Sequence, residues 1–149
     1  MRTLRAAGTY FGIVFGTGFV LGAIRVPFLV PRLGVRAAEL IEMPFMLAVI
    51  VLAARHVVRR FALTPRERLA TGALALALLV AAELGLAAVV TGQSVRAYVA
   101  SRDPVSGGVY LALLLMFGLL PRFFAPAPAF PSAARSASRG PAAGPPGRA

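Results

Sequence analysis

The sequence contains no cysteine and a single histidine, and only five of its 149 residues are acidic. Without cysteine, disulfides, thiolate metal sites and cysteine nucleophiles are all excluded. With His56 as the only imidazole, and with no GxSxG, HExxH, Walker A or dinucleotide fingerprint, a nucleophile and its base are hard to assemble. An enzyme is therefore not expected, and neither is a cofactor or a metal. Charge is scarce at 14% of residues, whereas 58% are hydrophobic and the mean hydropathy is +0.80. Such a chain belongs to the membrane class.

Lysine is also missing: all 16 basic residues are arginine, and the formal net charge is +11. In a soluble protein that balance would point to nucleic acid. Here the arginines fall mainly between apolar runs, at the level of lipid headgroups, and no basic stretch is interleaved with stacking aromatics. The expected partner is the lipid bilayer and not nucleic acid.

After the basic lead Met1 to Arg5, Ala6 to Ile24 carries no charge, nearly the roughly 20 residues a bilayer crossing needs. A signal-peptide core is shorter and is followed by a small-residue cleavage site, so this stretch reads as a retained first span. At 100° per residue, Gly8, Gly12, Gly16, Gly18 and Gly22 share a broad side with Phe11, Phe15 and Phe19. Ile13, Val14, Thr17, Val20, Leu21 and Ile24 share the other. Glycine lets backbones approach closely, so the glycine side is expected to meet protein, in this chain or another copy, and the aliphatic side to meet lipid.

Pro27, Pro31 and Gly34 mark the end of that span. The uncharged run Met43 to Ala54 is too short to cross alone, so the second helix takes in Glu39 and Glu42 at its start. Thr64-Pro65 signals the next helix start. The third span, Leu69 to Val90, carries one charge, Glu83, opposite a line of small residues that includes Ala73, Ala77, Ala81 and Gly85. Gly92 to Gly108 reads as a polar connection, with Tyr98 and Tyr110 suited to a membrane interface. Val109 to Leu120 reaches spanning length only with its flanks.

The expected fold is all-α: an integral membrane four-helix bundle with short loops, its spans near 6–30, 38–58, 69–91 and 105–124 of a domain covering 1–124. A disordered Pro/Ala/Gly/Ser-rich tail is expected over 125–149. Arg2, Arg5, Arg55, Arg59, Arg60, Arg66, Arg68, Arg122, Arg135, Arg139 and Arg148 fall on one side of four such spans, against Arg32, Arg36, Arg96 and Arg102 on the other. The positive-inside rule then places both termini in the cytoplasm of a bacterial inner membrane.

Arg25 lies about 19 residues into span one and Glu83 about 14 into span three, so both sit in the outer half, and Glu42 enters from the outer side at a similar level. Charges at that depth cost a few kcal/mol each unless paired, which predicts a polar cluster of Arg25, Glu42 and Glu83, with Glu39 one turn nearer the surface. Such a cluster can simply neutralise itself and fix the packing of spans one and two. Alternatively it can serve a small oligomeric transporter or channel moving protons, ions or small solutes. The first case describes a structural or accessory component that binds a membrane-protein partner or its own copies, with no known small-molecule substrate, and it is the primary expectation. His56, roughly 21 Å along the helix from Glu42, is expected at the interface and not in a shared metal site.

Overall fold

The computed structural model describes residues 1–92, 95–100 and 103–125, so the expected disordered tail lies, from residue 126 on, outside the described residues. The described residues are helical, without strands: α1 Arg2–Phe28, α2 Val30–Phe61, α3 Pro65–Thr91, a short α4 Val95–Ala100, and α5 Pro104–Phe123. All but α4 are long and apolar enough to cross a membrane. Even the shortest of these four, α5 with 20 residues, is about 30 Å long.

Local chemistry sets the helix ends. α3 opens on a capping box: the Glu67 N–H donates to Thr64 Oγ1, the Thr64 N–H donates to Glu67 Oε2 at 2.9 Å, and Pro65 occupies the first turn, where its missing N–H is harmless. Asp103 caps α5 with its own side chain, Oδ1 accepting from the Val105 and Ser106 N–H groups at 3.0 Å each. Between α1 and α2 the chain stays helical through one further turn. The break falls at Gly34, whose φ of 75° lies where a side chain would be strained. The Thr9 and Thr17 hydroxyls of α1 are satisfied within the helix, Thr9 donating to the Arg5 carbonyl and Thr17 to that of Ile13 at 2.8 Å each.

The four long helices form a square in which α1 and α5 each pack against both α2 and α3. The half of the bundle that holds the N-terminus and the α2–α3 turn is tightly packed around Ala6, Ala7, Tyr10, Ala54, Val57, Val58, Leu63 and Phe117. Arg2 pairs with Glu67 there at 3.0 Å, and Arg68 donates to the carbonyls of Leu63 and Phe124, tying the turn to the end of α5.

The fold decides which small residues meet this chain's own helices and which face outward, and it corrects one expectation, since Val14, placed on the lipid side, is buried. Gly8, Gly12 and Gly16 are exposed and have nothing of this chain within 4 Å of an added Cβ. Gly18 alone of the set touches a neighbouring helix, with Met46 Cε at 3.3 Å. In the packed half the inward face of α1 is Ala6, Ala7, Tyr10 and Val14, because Tyr10 and its hydrogen bond anchor the helix by that side. Ala73, Ala77, Ala81 and Gly85 of α3 are likewise exposed. The close backbone approach lies elsewhere: a Cβ on Gly72 would run into the carbonyl oxygen of Gly118, and one on Gly118 would lie 3.0 Å from Leu76 Cδ2. In addition, the expected polar connection from 92 to 108 is partly helical, since it contains α4 and the first turn of α5.

Candidate functional site

The other half of the bundle, next to the α1–α2 turn and the start of α5, is hollow. A cavity of about 620 Å³ lies there, with all four long helices in its wall. Val14, Ile50, Leu79, Leu113 and Phe117 supply its buried apolar lining. Arg25, Glu39, Glu42, Glu83 and Tyr110 bring the polar groups. Phe19, Val26 and Leu86 also line it and are exposed, so the cavity reaches the bundle surface.

The charged groups are connected. Arg25 Nη1 lies 3.3 Å from Glu39 Oε1, and Arg25 Nε lies 3.1 Å from Glu42 Oε2. Glu39 and Glu42 stand three residues apart on α2, which puts both on one helix face towards α1. The second oxygen of Glu39 accepts from Ser106 Oγ at 2.6 Å, linking the pair to α5. Ser106 in turn follows the α5 cap residue Asp103, which Arg36 grips with Nη2 at 2.6 Å from Oδ2. A continuous polar path therefore runs from the exposed Arg36–Asp103 pair through Ser106 and Glu39 to Arg25 and Glu42 inside the bundle.

Glu83 sits apart from this path on α3, where its Oε2 accepts from the Tyr110 hydroxyl. The expected cluster thus divides: Glu39 and Glu42 are the ion-pair partners of Arg25, while Glu83 faces the same cavity from another wall, tied to α5. Side-chain exposures of 21% for Arg25, 10% for Glu39 and 16% for Glu42 mean that the pairs are largely withdrawn from solvent. There, removing one partner leaves a charge that burial penalises by several kcal/mol. Arg25 Nε and Glu42 Oε2 attract one another without hydrogen-bond alignment, and neither atom has a hydrogen-bond partner among the described residues. At the polar connection, Arg36 and the capping N–H groups hold the Asp103 carboxyl well below the usual range, at about 2.

Ser106, Asp103, Arg36 and the role of Tyr110 were not anticipated. The Asp-Pro pair at 103 and 104 was the available signal, because it marks a helix start that carries Ser106 and Tyr110 onto its first turns. His56 lies with Leu52, Arg55, Arg59 and Arg60 along a shallow basic depression near the other end of α2, away from the cavity. Among the described residues no three His, Asp or Glu side chains group in a way that could hold a metal ion. Comparison of the chain with protein-family models, with curated proteins and with solved structures finds no match.

Proposed function

We propose that the chain is a four-span protein of the bacterial inner membrane, with both termini in the cytoplasm, whose outer-half cavity binds a small solute for passage or presentation. The observation that carries this is the cavity itself: a space of about 620 Å³, apolar over most of its wall, onto which Arg25, Glu39, Glu42, Glu83 and Tyr110 converge. Binding sites for small molecules have this size and this mixture of apolar wall and few polar groups. A cluster that served only to fix packing would gain most by closing the space around its charges. This favours the solute-handling alternative over a purely structural one, and binding over bond chemistry. The membrane setting is supported by four helices of spanning length and apolarity.

The test is a thermal-shift screen of the purified chain in detergent against charged, zwitterionic and neutral compounds, repeated with Leu113→Trp to fill the cavity. Compounds that stabilise the parent and not the filled variant support the proposal; a panel without any such compound refutes it. Proton flux into liposomes, with and without Glu83→Gln, then separates passage from binding alone.

A second reading rests on the outward-facing small residues. Gly8, Gly12 and Gly16 of α1 and Ala73, Ala77, Ala81 and Gly85 of α3 leave room for the backbone of another membrane helix, in a further copy or a partner protein. An accessory role and a binding cavity are compatible in one molecule.

A further inference from the structure

Resting on the bilayer setting and independent of the cavity, we infer that the basic depression on α2 binds an anionic phospholipid, its phosphate among Arg55, His56, Arg59 and Arg60 and its acyl chain along the helix towards Phe45. Helical spacing builds the site. Ala53, Ala54, Val57 and Val58 are buried against the other helices, so Leu52, Arg55, His56, Arg59 and Arg60 recur at i, i+3, i+4, i+7 and i+8 on one exposed outward face. The same face continues along α2 through Ala48, Phe45 and Ile41, which are exposed and apolar. Its character therefore changes once, from hydrocarbon to cation, between Leu52 and Arg55. Phe45 to Arg55 covers about 15 Å of helix, half the hydrocarbon thickness of a bilayer. One phospholipid laid along α2 would meet both parts.

No acidic side chain of this protein supplies the counter-charge. The sequence has five acidic residues, and all stand elsewhere: Glu39 and Glu42 at Arg25, Glu67 at Arg2, Asp103 at Arg36, and Glu83 in the cavity wall beside Tyr110. Arg55, Arg59 and Arg60 accordingly form no ion pair among the described residues. Each guanidinium presents a planar fork of N–H donors, and a phosphate fits it because two of its oxygens accept parallel bonds at once. The three arginines occupy two successive turns, and their long stems let the heads converge on one group. A zwitterionic headgroup brings an ammonium that the arginines repel. A soluble polyanion would leave the apolar stretch from Leu52 to Ile41 without a counterpart.

The test is native mass spectrometry of the full chain released from non-ionic detergent, with phosphatidylglycerol and phosphatidylcholine of identical acyl chains titrated in together. Phosphatidylglycerol should bind at least about tenfold more tightly, since each arginine at a headgroup contributes about fivefold. Arg55→Gln with Arg59→Gln should remove most of that preference. Arg66→Gln with Arg122→Gln, which takes the same charge from exposed arginines outside the depression, should leave it within about twofold. Glycerol 1-phosphate, which carries the phosphate without acyl chains, should not displace the lipid at equal concentration. A second measurement needs no variant: phosphatidylglycerol, and not phosphatidylcholine, should slow modification of Arg55 and Arg59 by phenylglyoxal in the unaltered chain. Equal binding of the two lipids, equal loss in the two double variants, displacement by glycerol 1-phosphate, or no protection of either arginine overturns the assignment. A chain that enters vesicles and shows no preference removes this site alone; one that fails to enter vesicles removes the bilayer setting and the site together.

Discussion

The hydroxyl of Tyr10 donates to the carbonyl oxygen of Phe117 at 3.1 Å, and that acceptor is one α5 cannot use itself. Four residues further on stands Pro121, which has no N–H, so the helix leaves the buried Phe117 carbonyl without its usual donor. Tyr10 reaches it from the opposite corner of the bundle, its ring stacked on that of Phe117 with centroids 4.3 Å apart. One residue pair thus closes the packed half and forms the boundary of the hollow half, since Phe117 also lines the cavity.

Removing that hydroxyl leaves a buried carbonyl unpaired. Tyr10→Phe is expected to destabilise the bundle by about 1–3 kcal/mol. Pro121→Ala restores an N–H four residues after Phe117, so in the double variant Tyr10→Phe should cost markedly less than in the parent. Reversible unfolding in mixed micelles supplies the four stabilities; an equal cost in both backgrounds would mean that the carbonyl is not what Tyr10 serves.

Arg25→Leu strands two carboxylates, and breaking a pair this deeply withdrawn is expected to cost about 3–5 kcal/mol. Double-mutant cycles should give coupling of about 1 kcal/mol or more with Glu39→Gln and with Glu42→Gln, and a smaller value with Glu83→Gln, which is joined to Tyr110. Coupling confined to Glu83 would contradict the pairing described.

The two kinds of glycine separate in one experiment. Gly72→Ala forces α3 and α5 apart at the Gly118 carbonyl and should lower the stability of the single chain. Gly12→Leu and Gly16→Leu meet open space within this chain and should leave it intact, with any effect appearing in association measured by cross-linking or sedimentation. Loss of folding with Gly12→Leu in a dilute, monomeric sample would contradict the outward placement.

The Arg36–Asp103 pair predicts a pH dependence whose sign is fixed. Asp103 titrates at about 2 when folded, below the ordinary value of 3.8, so the unfolded chain binds its proton at higher pH than the folded one. Its contribution is present in full above about pH 4 and is lost as pH falls towards 2. Asp103→Asn keeps a good helix cap and removes the charge. The stability difference between parent and Asp103→Asn should be constant from pH 7 to about 5 and shrink below 4; a difference that grows on acidification would reverse the assignment.

Topology is testable with reporters active only outside the cytoplasm. Fusions within the connection between α3 and α4 should be active and fusions after Phe124 silent. Activity at the latter site would place the C-terminus outside and defeat the arginine-based orientation.

Much of this architecture is determined by sequence alone, because spanning length, apolarity and helix capping are local properties. The runs from Ala6, Met43, Leu69 and Val109 announce the four long helices, and Thr64-Pro65 announces the α3 start. Arg25 and the Glu39/Glu42 spacing were legible as a charge problem that the fold had to solve. What only the tertiary structure decided is how each helix is rotated about its own axis. In a soluble helix an apolar stripe against a polar face settles that question. Here lipid and protein interior are equally apolar, so a helix such as α3, with leucines on one side and alanines on the other, carries no such mark. The rotation is set by specific contacts among four helices: Tyr10 at the Phe117 carbonyl, Gly72 against Gly118, Ser106 on Glu39. Those contacts turn Glu83 towards Tyr110, turn Gly8, Gly12 and Gly16 outward, and leave the cavity between the charges.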